Sequence, residues 1–240
     1  MHFKTYHFKS LTSTQDKAKG FAREGLSNIV VISDIQTKGR GRFKRKWYSS
    51  KGGLWMSILL MPKDVQNLQY LTFAAAVSVA KSIKKSEKIA TKLKWPNDVH
   101  YNGKKLCGIL TEGIFGKKNY VIIGIGLNAN QNKFPDKIKN IATSLRIIKN
   151  KIVDIGKLKE NILREFFILY NEFYGKNKSK YILKLWKQSC DTLGKNVKVI
   201  AINSVLEGEA VDVDESCNLV LKTKNNKILK IIEGDIKVRY

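Results

Sequence analysis

The chain has 240 residues, 43% hydrophobic and 27% charged, which is enough apolar material to bury a full core and too much for a disordered chain. Its 45 Lys and Arg against 20 Asp and Glu give a formal charge of +25, spread along the chain as lysine, which favours acidic partners without specifying fold or chemistry. No apolar stretch approaches the ~20 residues needed to cross a bilayer, and Cys107, Cys190, Cys217, His2, His7 and His100 lie too far apart for metal-ligand spacing, so a membrane anchor and a zinc enzyme are both disfavoured.

Phe3 to Phe8 alternates as a first strand, and Ser13-Thr-Gln-Asp16 has the form of a helix start capped by Ser13, with the helix expected to reach about Glu24. Asn28 to Ser33 is a continuous β-branched run, read as a buried strand that feeds the loop beyond it. That loop, Gln36 to Gly53, holds seven cations (Lys38, Arg40, Arg42, Lys44, Arg45, Lys46 and Lys51) and no acid. Gly39 and Gly41 permit close approach of the backbone, so the loop can receive an anion, whether a phosphate, a carboxylate or nucleic acid. Such a density of like charge predicts a loop that repels itself and orders only around an anion.

Leu54 to Met61 resumes as a strand closed by Pro62, and Leu68, Leu71, Ala75, Val79 and Ile83 recur at the spacing of a core helix. Asn102-Gly103 between β-type runs predicts a hairpin, with Lys94 and Lys105 expected on neighbouring strands either side of it. Trp95-Pro96 reads as a packed aromatic beside a strand terminator. Tyr120 to Asn130 is another buried strand, in which Gly124 and Gly126 allow a ligand or backbone to approach. Helical spacing returns at Leu158, Ile162, Phe166, Leu169 and Phe173, breaks at Gly175, and resumes through Tyr181 and Leu185 to Cys190. From Lys195 the pattern changes to five short strands, Val197 to Ile202, Ala210 to Val213, Leu219 to Leu221, Ile228 to Ile232 and Ile236 to Val238, as in a small barrel.

Four polar clusters stand out: Ser13-Thr14-Gln15, the Gln36 to Trp47 loop, Lys94-Trp-Pro-Asn-Asp98 and Lys105-Leu-Cys-Gly-Ile109. There is no G-x-S-x-G, no H-E-x-x-H and no G-x-x-x-x-G-K-[ST], so serine-hydrolase, metalloprotease and P-loop readings lose support. A site rich in cations, amides and hydroxyls but poor in general bases suits a reaction run by positioning and charge stabilisation, such as phosphoryl or nucleotidyl transfer.

Gln36-Thr-Lys-Gly-Arg-Gly-Arg-Phe-Lys-Arg-Lys-Trp47, Lys94-Trp-Pro-Asn-Asp98, Lys105-Leu-Cys-Gly-Ile-Leu-Thr-Glu112, Gly124-Ile-Gly-Leu-Asn128 and the ending Gly234-Asp-Ile-Lys-Val-Arg239 resemble, in order and spacing, the motifs of biotin-protein ligases. The resemblance covers nearly the whole chain and implies an α+β fold. A mixed sheet flanked by helices, of the class II synthetase and biotin/lipoate ligase type, would occupy residues 1–190, and an SH3-like β-barrel residues 191–240. The implied activity is ATP-dependent activation of biotin to biotinyl-5′-AMP, followed by transfer to one lysine of a biotin carboxyl carrier domain. A lipoate-protein ligase or octanoyltransferase is the alternative within the superfamily, and a basic nucleic-acid-binding module the alternative outside it.

By the same resemblance, Ser13, Thr14, Gln15, Gln36, Arg40, Gly41, Arg42, Lys105 and Gly108 are expected around biotin, and Arg40, Trp47, Lys94, Asn97 and Asn128 around ATP. Arg42 and Lys105 are expected to stabilise charge in catalysis, while Asp98 is expected either to assist Mg²⁺ carried with ATP or to anchor the hairpin. Lys38, Phe43 and Lys44 depart from the commonest family pattern, and Lys38, Lys44 and Lys46 are expected in solvent. The motifs begin at Ser13, which predicts a monofunctional enzyme without a preceding DNA-binding domain and without specific DNA partners. A cytoplasmic location and a homodimer through sheet edges complete the expectation.

Overall fold

The computed structural model describes residues 3–62, 67–176, 179–200 and 205–238. Seven strands form the main sheet: β1 (Lys4–Phe8), β2 (Ile29–Ser33), β3 (Leu54–Leu60), β4 (Lys92–Lys94), β5 (Asp98–Tyr101), β6 (Lys104–Ile114) and β7 (Tyr120–Leu127). They lie in the order β1-β2-β3-β7-β6-β5-β4, with β1 and β2 parallel and every other neighbouring pair antiparallel. The sheet is therefore mixed, as expected. Its centre, β2, β3 and β7, is almost wholly buried because helices cover both faces, which is why these strands read as unbroken apolar runs and not as alternating ones.

On one face lies α1 (Thr14–Arg23), whose Ala18, Phe21 and Ala22 pack on Ile29, Val31, Leu59 and Ile122. Its cap is Ser13, as the sequence predicts. On the other face lies α2 (Gln69–Glu87), apolar nearly all round because it is covered in turn by α4 (Ile155–Lys176) and α5 (Ser179–Ser189). Phe73 stacks on Trp186 at 4.2 Å and Tyr70 on Phe173 at 5.4 Å. The helix α4 runs through Gly175 to Lys176, so the break expected at Gly175 is not there; residues 177–178 lie outside the described set. One short helix, α3 (Leu145–Lys149), is absent from the sequence reading because its five residues carry too little periodicity.

The Asn102-Gly103 turn has φ of +47° and +76°, the two positive values that a type I′ hairpin requires. It joins β5 to β6, which corrects one expectation. Lys94 lies on β4 and Lys105 on β6, with β5 between them, so they do not occupy neighbouring strands.

The C-terminal segment forms a five-stranded antiparallel sheet of β8 (Asn196–Ile200), β9 (Val205–Val213), β10 (Leu219–Lys222), β11 (Ile228–Ile231) and β12 (Asp235–Val238), ordered β11-β10-β9-β8-β12. Residues 201–202 of the first predicted strand, along with His2 and Arg239, lie outside the described residues. This small unit shares its core with the main domain: Val197, Val199 and Leu219 belong to the same apolar cluster as Phe73, Trp95 and Trp186. Polar pins reinforce the junction, since the Trp95 indole donates to the Cys217 carbonyl at 3.0 Å and the Tyr70 hydroxyl to the Glu215 carbonyl at 2.7 Å. Trp95, read from the sequence as a packed aromatic, is thus one of the residues that fasten the two units.

Candidate active site

A cavity of about 290 Å³ opens on the α1 face of the main sheet, walled by the start of α1, the cationic loop and strands β6 and β7. Its floor depends on missing side chains. A Cβ at Gly126 would fall 2.5 Å from the Trp47 Nε1, one at Gly108 3.3 Å from the same indole, and one at Gly124 2.9 Å from the Gln15 Oε1. Gly124 and Gly126 therefore admit the side chains of Gln15 and Trp47 directly over the sheet, a more specific reason than the general one read from the sequence.

At one end the lining groups other than Arg40 are neutral and mutually bonded. The Thr14 amide and hydroxyl both donate to the Gln36 Oε1, at 2.8 and 3.1 Å, and the Gln36 Nε2 donates to the Ser49 hydroxyl at 2.8 Å. Ser57, buried on β3, donates to the Thr14 hydroxyl at 2.8 Å. This chain of bonds sets the directions in which Thr14 and Gln36 face the cavity, beside Ser13 and Gln15.

At the other end the groups are cationic. Lys105 lies 2.7 Å from the Asp98 carboxylate, and its ammonium is 5.1 Å from the centroid of Trp47. Burial alone would raise the Asp98 carboxyl, but Lys105, with His100 at 3.6 Å, overrides it and holds the group down at about 2. Asp98 is thereby engaged as the counter-ion of Lys105. Arg42, half-buried, donates to the Gly234 carbonyl at 3.2 Å; burial lowers its pKa while Glu233 and Asp98 oppose that. Arg45 pairs with Asp235, so the start of β12 reaches across to the loop from the small sheet. Phe43 and Lys44 bend the loop with positive φ of 52° and 56°, a strained conformation for a phenylalanine.

Of the residues expected from the sequence, Ser13, Thr14, Gln15, Gln36, Arg40, Gly41, Arg42, Trp47, Asn97, Asp98, Lys105, Gly108 and Asn128 all line this one cavity. Asn97 and Asn128 use their side-chain amides on backbone, donating to the Ile109 carbonyl at 2.6 Å and the Thr143 carbonyl at 3.0 Å, and so shape the wall. Lys94 is not part of the lining; it sits on β4 opposite Asp98, with burial lowering its pKa. Lys38, Lys44 and Lys46 are exposed, as expected, but Lys46 also lines the rim of the cavity, which the sequence reading did not place there.

Sequence reasoning missed the acids. Arg40 is held by Asp16 at 2.8 Å and Glu112 at 3.1 Å, and Arg45 by Asp235, so the loop's charge is opposed from three other elements. Mutual repulsion within the loop is correspondingly smaller than its own composition predicts. Glu112 and Asp235 both fall inside quoted motifs, but nothing in a motif says which distant cation its acid will meet. Among the described residues no group of three or more His, Cys, Asp or Glu is placed to hold a metal ion.

Residues 7–128 match the biotin/lipoate A/B protein ligase family, and residues 192–239 match the biotin protein ligase C-terminal domain. The chain is 38% identical over 235 residues to the bifunctional ligase/repressor BirA of Bacillus subtilis, covering 95% of this chain and 72% of that protein. It is 27% identical over 226 residues to the biotin--[acetyl-CoA-carboxylase] ligase of Mycobacterium tuberculosis, covering 91% and 82% respectively. Among solved structures, the biotin protein ligase from Aquifex aeolicus in complex with biotin and ATP superposes with a TM-score of 0.88 at 32% identity, over 98% of each chain.

Proposed function

The chain belongs to the biotin/lipoate A/B protein ligase family, and on that premise we propose that it is an ATP-dependent biotin-protein ligase that acts through the cavity between α1, the cationic loop and β6. The observation that carries the reading is the cavity's polarity. A neutral, hydrogen-bonding end formed by Ser13, Thr14 and Gln36 faces a cationic end formed by Arg42 and Lys105, as a substrate with a polar ring at one end and a carboxylate at the other requires.

In the first step a carboxylate oxygen of biotin attacks the α-phosphorus of ATP, pyrophosphate leaves, and biotinyl-5′-AMP forms. Carboxylate and triphosphate repel one another, and negative charge grows on the phosphoryl oxygens in the transition state. Arg42 and Lys105 oppose both effects, and because Arg42 is half-buried its charge acts through little water. Lys105 is held by Asp98, which keeps the ammonium in place without a reorganisation cost at the moment of reaction. Trp47 offers the nucleotide an aromatic face, and Asn97 and Asn128 shape the adjoining wall. In the second step the amine of a carrier lysine attacks the acyl carbon and AMP leaves. The acceptor is the carrier domain of a biotin-dependent carboxylase, whose approach the positive field of the chain favours if that domain is acidic.

Mg²⁺ enters this scheme bound to the ATP phosphates, where it neutralises charge. Asp98, already paired with Lys105, serves as the hairpin anchor and not as a primary metal ligand. The catalytic unit is assigned to residues 1–190 and the small β unit to 191–240. A homodimer through the free edge of β1 and a cytoplasmic location belong to the same reading; among the described residues no helix is long and apolar enough to cross a membrane.

Incubating the purified chain with biotin, MgATP and a carrier domain tests the assignment. Biotin-dependent pyrophosphate release and one biotin mass added at a single carrier lysine are expected. Release that depends on lipoate and ignores biotin would refute it.

A further inference from the structure

Arg40 falls at the neutral end of the cavity, and both arms of its guanidinium are taken up by protein. Nη1 meets the Asp16 carboxylate at 2.8 Å and donates to the Ser13 hydroxyl at 3.3 Å, while Nη2 meets Glu112 at 3.1 Å. Glu112 is the centre of this arrangement. It projects from β6 on the face that also presents Gly108 and Leu110 to the cavity, with its side chain 26% exposed. Its two oxygens gather Arg40 from the loop, Lys19 from α1 at 2.9 Å, and the Gln15 amide at 2.8 Å. Two acids, Asp16 and Glu112, face two cations, Arg40 and Lys19, so the cluster is electrically balanced. A guanidinium compensated by two carboxylates has little charge left for a ligand phosphate or carboxylate, whereas at the opposite end Lys105 meets a single carboxylate, Asp98, and Arg42 donates to the Gly234 carbonyl.

We propose that Glu112 is a positioning residue that staples the cationic loop, through Arg40, to α1 and β6, closing the ring end of the cavity over a neutral substrate ring and thereby setting how long the substrate stays. On this view Arg40 acts on residence time, not on phosphate charge. Bonds to charged groups that are partly buried are stronger than neutral ones, so the staple is worth enough to govern loop opening but not so much as to lock it. The burial of Glu112 tends to raise its carboxyl, but the bonds from Lys19 and Gln15 and the charge of Arg40 hold it below its usual value, so the staple stays charged at neutral pH.

The inference rests on the ligase reading for the identity of the ring. Stopped-flow fluorescence of the full chain measures biotin on- and off-rates, and steady-state turnover with MgATP and a carrier domain measures kcat and KM. Glu112→Gln, isosteric but uncharged, is expected to raise the biotin off-rate about tenfold while kcat at saturating biotin changes less than about threefold. Because Glu112 acts through Arg40, Arg40→Met is expected to raise the biotin off-rate to a similar extent, and the off-rate of the double variant to be no higher than that of the Arg40→Met single. An unchanged off-rate in Glu112→Gln, or off-rate effects that multiply in the double variant, overturns the proposal. Should Glu112→Gln fail to fold, Asp16→Asn breaks the other leg of the staple at a more exposed site, and an unchanged off-rate there has the same force. A wild-type chain that binds lipoate in place of biotin refutes the ligase reading alone, and the same cycle run on lipoate then tests the staple.

Discussion

Replacing Lys105 with methionine isolates the electrostatics of the cavity from its chemistry. In the wild type the Asp98 carboxyl is depressed to about 2 from an ordinary value of 3.8, because Lys105 stands 2.7 Å away and outweighs the cost of burial. A carboxyl lowered in the folded state adds stability that is fully present above about 3.8 and disappears as the pH falls towards 2; at neutral pH this gap corresponds to ~2 kcal/mol. Lys105→Met removes that contribution and leaves a buried carboxylate beside His100 at 3.6 Å, with Lys94 and Arg42 acting on it only through their charge. Breaking a fully buried pair costs ~3–5 kcal/mol. Lys105 is 32% exposed, so solvent reduces the cost to ~2–3 kcal/mol. For a chain of this size that lowers the melting temperature by roughly 5–10 °C at pH 7. With desolvation now dominant, the Asp98 carboxyl rises above its ordinary value, so the deficit should narrow as the pH is lowered towards 4. Adding Asp98→Asn to Lys105→Met removes the stranded charge and should restore at least half of the loss. Thermal unfolding followed by circular dichroism at pH 7 and pH 4 measures all of this. A single variant as stable as the wild type at pH 7, or a double variant no more stable than the single, would show that the pair does not hold this end of the cavity.

Gly126→Ala places a Cβ 2.5 Å from the Trp47 indole, a rigid group backed by the sheet, so the ring must move off the floor; KM for ATP is expected to rise about tenfold, and an unchanged KM would remove Trp47 from the nucleotide wall. Charge reversal by Asp235→Arg should free Arg45 and loosen the loop, raising KM for ATP, while combining it with Arg45→Asp should recover part of the loss; effects that simply add would dissociate the small sheet from the site. Arg42→Gly should release biotinyl-5′-AMP faster, seen as biotin on stray lysines of a bystander protein, and equal labelling by wild type and variant would place the phosphate clamp elsewhere.

The local elements were legible because each has a short-range cause. Ser13 caps α1 as its hydroxyl and position suggest, Asn102-Gly103 turns because both residues tolerate positive φ, and the buried strands announce themselves as β-branched runs. The ordered motifs also put thirteen of the expected site residues around one cavity, since strand ends and the loop between β2 and β3 converge there. Lys94 escaped this logic because adjacency along the chain does not reveal that β5 intervenes between β4 and β6.

What the sequence determined by itself was the list of parts: an α+β chain, a cationic loop, a glycine-lined strand and a small β unit, all written in periodicity and turn chemistry that act over a few residues. Only the tertiary structure decided how the loop's cations divide. Arg45 finds Asp235 at a distance of 190 residues along the chain, Arg40 finds Glu112 at 72, and Arg42, lining the cavity, finds the Gly234 carbonyl at 192. A side chain's charge is visible in one letter, but its partner is chosen by proximity and burial in three dimensions. For that reason the same run of arginines and lysines meets acids on α1, β6 and β12 and a carbonyl of the small unit.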